Sequence, residues 1–132
     1  MSINDYGFMG SCEIKISGSS FGVVEFLKSS NLKPKTIWKR GEIPSIEKDP
    51  HHDSGFLFII SDEADKPISF YLKEATRFLA VQEPELNRAK RCGAEDFRLI
   101  IALNHAGSAI EYLPPKLLLL AGRLDIGIEL AY

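Results

Sequence analysis

The stretch Leu124-Asp125-Ile126-Gly127-Ile128-Glu129-Leu130-Ala131-Tyr132 constrains the fold more than any other, because its polarity alternates without interruption. Leu124, Ile126, Ile128, Leu130 and Tyr132 fall on one side of a period-two element, and Asp125, Gly127, Glu129 and Ala131 on the other. The pattern predicts a strand with one buried face, held inside a sheet. Such a strand needs partners along its edges and apolar cover over its face, so earlier segments must supply both.

Those segments are legible upstream. Cys12, Ile14 and Ile16 alternate with Glu13, Lys15 and Ser17, a first strand ended by Gly18-Ser19-Ser20. Ser20 can cap a helix carrying Phe21, Val23, Val24, Phe26 and Leu27, with its exit at Asn31, Leu32 and Pro34. Residues 35–42 contain Thr36, Ile37 and Trp38 ahead of Gly41, which predicts a short edge strand whose lysines discourage foreign pairing. Residues 43–54, with Pro44 and Pro50, read as a loop. The continuous run Phe56-Leu57-Phe58-Ile59-Ile60 reads as a central strand covered at least in part on both faces.

Asp65 as cap and Pro67 as first helical residue open an amphipathic helix whose stripe is Ile68, Leu72, Ala75 and Leu79. A shorter helix is expected over residues 84–92, closed by Gly93. Phe97, Leu99, Ile101 and Leu103 then alternate with Arg98, Ile100, Ala102 and Asn104 in another strand. After a loop, Pro114-Pro115 opens a last helix over residues 116–121, ended by Gly122. The order is β-α-β-β-α-(α)-β-α-β. It predicts an α+β domain with a ferredoxin-like split βαβ core, to which the last helix and strand add a crossover. One mainly antiparallel sheet is covered by helices on one face, in a single domain over residues 1–132 with 1–10 as a lead-in.

Bulk properties exclude several classes of function. A chain of 132 residues can bury roughly two thirds of its unfolded surface without a structural metal or disulfide. Hydrophobic residues at 45% and charged residues at 26% are ordinary for a globular protein, and a net charge of −2 gives no long-range attraction for nucleic acid or an anionic membrane. Cys12 and Cys92 have no CxxC partner or ligand-like spacing, as in a reduced protein. No basic-then-apolar leader opens the sequence, and the apolar run at residues 117–121 is too short for a membrane span, so a cytoplasmic location is expected.

The segment Asn31-Leu32-Lys33-Pro34-Lys35-Thr36-Ile37-Trp38-Lys39-Arg40-Gly41-Glu42 resembles a known family: a helix exit in leucine, then proline, threonine, tryptophan, basic residues, glycine and an acid. It is similar to domain-of-unknown-function family number 4279. The likeness extends over nearly the whole chain, to the leucine-rich last helix and the final strand. It implies a small bacterial α+β domain in which Leu32, Pro34, Trp38 and Gly41 are structural. It also implies a role like that of immunity or accessory proteins encoded near toxins. The chain departs from the family at residues 106–115, where relatives carry a glycine-rich stretch, and in having Trp38 as its only tryptophan.

Candidate chemistry is sparse. His51-His52-Asp53 is the densest group of potential metal ligands, yet zinc needs three or four donors, so His105 or another group would have to join from across the fold. A solvated loop is the simpler reading, and no metal or other cofactor is expected. Cations beside Cys92 would activate its thiol, while the carbonyls of a helix C-terminus would oppose that. Lys33, Lys35, Lys39 and Arg40 around Trp38 could hold a nucleic acid, but the net charge disfavours it. Asp62, Glu63 and Asp65 are explained by the dipole of the helix they precede. No phosphate-binding, zinc-protease, serine-hydrolase or dinucleotide motif occurs.

A non-enzymatic protein-binding module is therefore the expected function, with no catalytic residues. The alternative is a small-molecule or metal-binding protein, or a hydrolase, using the loops of His51, His52 and His105. The expected binding surface is the sheet face opposite the helices, presenting Glu13, Lys15, Arg98, Ile100, Asp125 and Glu129.

Overall fold

The computed structural model describes residues 10–43, 49–103 and 112–131. Within them the elements run β1 (Ser11–Gly18), α1 (Val23–Lys28), β2 (Thr36–Trp38), β3 (Ser54–Ser61), α2 (Ile68–Arg91), β4 (Asp96–Ala102), α3 (Pro115–Leu124) and β5 (Gly127–Ala131). The strands form one mixed five-stranded sheet in the order β2-β3-β1-β4-β5. β1 is antiparallel to both β3 and β4, and β2 is antiparallel to β3. β5 is parallel to β4, a pairing that requires a crossover, and α3 makes it.

Alternation in β1 and β4 decides which face is covered. Cys12, Ile14, Ile16, Phe97, Leu99 and Ile101 are all buried, and the register sets the β1 and β4 members of this group side by side. Phe56 lies opposite Ile16, so it joins them. Against this face pack Val23 and Phe26 of α1, Tyr71, Leu72, Ala75 and Leu79 of α2, and Leu117, Leu120 and Leu124 of α3. The rings of Phe26 and Phe56 stack with centroids 5.7 Å apart, tying α1 to β3. Each such side chain contributes about 1.5–3 kcal/mol through burial, so this single layer of contacts is the main source of stability.

Several expectations are corrected. The helical stripe and the shorter helix after it are one helix, α2, with Pro84 inside it. Pro84 is exposed, which keeps its ring out of the core while the helix passes through it. α2 starts at Ile68 with Pro67 as the cap residue, and no side chain caps it. Likewise Gly22, not Ser20, caps α1. Gly93 closes α2 as expected, with φ of +102°.

At the other crossover, α3 continues through Gly122 to Leu124, and Asp125 takes the left-handed position at φ of 58°. Leu124 and Ile126 are buried, but as the helix end and the connection rather than as strand residues. The sequence alternates on both sides of this turn, and a short alternating pattern carries no mark of where helix becomes strand. β5 is consequently shorter than expected and lies at the sheet edge, not inside it. β2 is the opposite edge and is only three residues long.

Candidate functional site

The face that no described helix covers is built by the residues that alternate with the core. Strand pairing arranges them in rows. Trp38, Gly55, Ser17 and Asp96 form one row, Thr36, Leu57, Lys15, Arg98 and Gly127 the next, and Ile59, Glu13, Ile100 and Glu129 a third. Glu13, Lys15, Arg98, Ile100 and Glu129 thus share one surface. Asp125 does not, because it is the αL cap of α3 and lies before β5 begins.

Three further apolar residues belong to this face, each half-buried like Ile100: Trp38, which the family resemblance implied only as structural, and Leu57 and Ile59, which the sequence did not single out. Leu57 and Ile59 sit in a run of apolar residues, where continuous hydrophobicity hides which residues point which way. Only the pairing of Lys15 with Leu57 and of Glu13 with Ile59 resolves the phase.

Trp38 is held on three sides. Its indole N–H donates to Asp53 Oδ1 at 2.8 Å. The Lys15 ammonium stands 5.6 Å from its ring centroid, within range of a cation–π attraction. Beneath it is Gly55, where an added Cβ would lie 2.6 Å from Trp38 Cζ2. The remaining family-motif residues shape the approach to β2. Leu32 is buried in the core, Pro34 is half-buried, and Gly41 has φ of +90° while its N–H donates to the His51 carbonyl at 2.9 Å.

At the other end of the face the charges neutralise one another. Arg98 Nε donates to Asp96 Oδ2 at 3.1 Å and Arg98 Nη1 to Glu129 Oε1 at 3.0 Å. The Asp96 hydrogen bond and charge, then those of Glu129, push the guanidinium pKa up. Four apolar side chains, Trp38, Leu57, Ile59 and Ile100, therefore share the face with Glu13, Lys15, Arg98 and Glu129, and Glu13 separates Ile59 from Ile100.

No family model, curated protein or solved structure matches this chain. What the face can do has to be taken from its own chemistry. It is mixed in charge, with Glu13 and Lys15 on the central strand β1 and apolar residues on the strands to either side, a composition suited to a protein surface rather than to an enclosed ligand.

The other candidates are not assembled into a site. His51 is half-buried, its ring centroid 6.3 Å from that of Trp38 and its N–H donating to the Glu42 carbonyl at 2.8 Å, whereas His52 is exposed. His105 lies outside the described residues. No group of three or more His, Cys, Asp or Glu side chains that could hold a metal ion occurs among the described residues. Cys12 is buried, and burial followed by repulsion from Glu13 and Glu74 pushes its thiol up to about 12, the opposite of nucleophile activation. Cys92 is a free thiol at the C-cap of α2. Lys33, Lys35, Lys39 and Arg40 are exposed around β2, with Arg40 Nη1 donating to the Ser19 carbonyl at 3.3 Å.

Proposed function

We propose that this protein is a non-enzymatic α+β domain that binds another protein through its open sheet face, in the manner of bacterial immunity or accessory modules. The observation that carries the reading is the half-buried group of Trp38, Leu57, Ile59 and Ile100, interleaved with charges of both signs. A protein interface needs this combination, with apolar area to gain from desolvation and charges to select the partner and fix the register. The resemblance to family number 4279 supports the same reading.

The architecture is read as a ferredoxin-like split βαβ core extended by α3 and β5. What supports this is that β3 lies between β1 and β2, antiparallel to both, with β4 on the other side of β1. A cytoplasmic location belongs to the same proposal. No helix among the described residues is long and apolar enough to cross a membrane, and both cysteines are free.

The test is the double substitution Arg98→Glu with Glu129→Lys. It reverses the charges at 98 and 129 and lets a new pair form there, while losing the Asp96 pairing; because these groups are exposed, the melting temperature should stay within a few degrees. Binding to a partner first identified by co-purification should weaken about tenfold or more, equivalent to about 1.4 kcal/mol. A double variant that binds that partner as tightly as the parent protein contradicts the proposal.

A further inference from the structure

On the helical side of the molecule, α2 and the start of α3 enclose a groove of about 860 Å³. It is lined by α2 residues from Ile68 to Val81 and by Tyr112, Pro114 and Lys116. Leu72, almost fully buried, and the exposed Ala80 and Val81 are among its apolar lining. Thirteen helical steps of 1.5 Å make it about 20 Å long, a length suited to an elongated ligand. The volume falls within the range of about 300–1,000 Å³ usual for small-molecule sites.

Among the described residues, the charge along this groove has one sign. Its charged lining residues are Lys73, Arg77 and Lys116, although the protein is acidic overall at −2. Arg77 is paired with Glu74 at 2.6 Å. Lys73 and Lys116 have no ion-pair partner among the described residues. β3 and β4 both run antiparallel to β1, and β5 runs parallel to β4, so α2 and α3 are crossovers of the same sense with their N-termini at the same end of the sheet. Neither N-terminus is capped by a side chain, and residues of both first turns line the groove. The dipoles therefore add to the lysine charge.

We infer that this groove binds an elongated amphipathic anion, an alkyl chain ending in a carboxylate. The chain lies along Leu72, Thr76 and Ala80, and the carboxylate meets Lys73 and Lys116. This goes beyond the partner-binding role assigned to the opposite side of the sheet.

The experiment is calorimetric titration of the full chain with dodecanoate, kept below its micelle-forming concentration. Saturable one-to-one binding is expected. Lys73→Gln with Lys116→Gln removes the charges without narrowing the groove and should weaken binding about tenfold or more, and dodecanol, which lacks the charge, should bind the parent protein comparably weakly. Ala80→Trp fills the groove from an exposed helical position and should abolish binding with the melting temperature held. The Arg98→Glu, Glu129→Lys variant should bind dodecanoate like the parent, which separates the two sites. Absence of saturable binding, or binding indifferent to both the lysine and the Ala80 changes, overturns the inference. So does a concentration-dependent dimer that Ala80→Trp abolishes while dodecanoate does not bind, since the groove would then seat a second copy.

Discussion

At Gly55 the absence of a side chain decides how closely three strands and an indole can approach. A Cβ there would meet Ile16 O at 2.5 Å, Trp38 Cζ2 at 2.6 Å and Ser17 Cβ at 2.7 Å. The first is ladder backbone and cannot turn aside, so Gly55→Ala should cost about 1–3 kcal/mol, seen as a lower urea midpoint. Gly122 is the contrasting case. It lies within α3, and nothing stands within 4 Å of an added Cβ. Gly122→Ala should therefore stabilise by about 0.5–1 kcal/mol, and a destabilised variant would mean that the helix ends before it. The sequence pointed to Gly122 as a terminator because glycine usually fills the αL position; here Asp125 fills it. A third residue effect depends on pH. The Cys12 thiol has its pKa raised in the folded state from about 9 to about 12, so the folded chain keeps a proton that the unfolded chain loses. Its contribution is complete below pH 9 and is lost as pH rises toward 12. Melting temperatures should fall across that window, and less steeply in Cys12→Ala, whose stability at neutral pH is lower.

Among the elements, those with one wet face were readable and those without were not. β1 and β4 alternate cleanly, so their buried residues and their outward Glu13, Lys15, Arg98 and Ile100 could be assigned from spacing alone. β3 is apolar on both sides, which concealed Leu57 and Ile59, and Pro84 imitates a helix start in the middle of α2. The alternation from Leu124 onward belongs to two elements, and this divides the effect of truncation. Ile128 and Leu130 in β5 are half-buried at the sheet edge, whereas Leu124 and Ile126 are 1% and 7% exposed. Removing residues 127–132 should lower the melting temperature but leave a cooperative transition. Removing residues 124–132 strips two further buried side chains at about 1.5–3 kcal/mol each, a large share of a stability of about 5–15 kcal/mol, and should abolish that transition. Calorimetry of the two truncations distinguishes these outcomes; equal loss of cooperativity would place β5 in the core.

The described helices all pack on one face of the sheet, and no described helix packs on the other. That division is sharpest within β4, where Ile100 and Ile101 are neighbours in sequence and identical in chemistry. Ile101 is fully buried beneath the helices, whereas Ile100 is half-buried on the open face between Glu13 and Glu129. A lysine at position 100 would stand between two carboxylates. At position 101 its charge would be enclosed in the apolar core, where an unpaired charge costs several kcal/mol even after relaxation. The measurement that tests the account most directly is thermal unfolding of Ile100→Lys beside Ile101→Lys. The account predicts a melting temperature within a few degrees of the parent for the first and no cooperative transition for the second. Equal tolerance of the two, or loss of folding in Ile100→Lys alone, would contradict it.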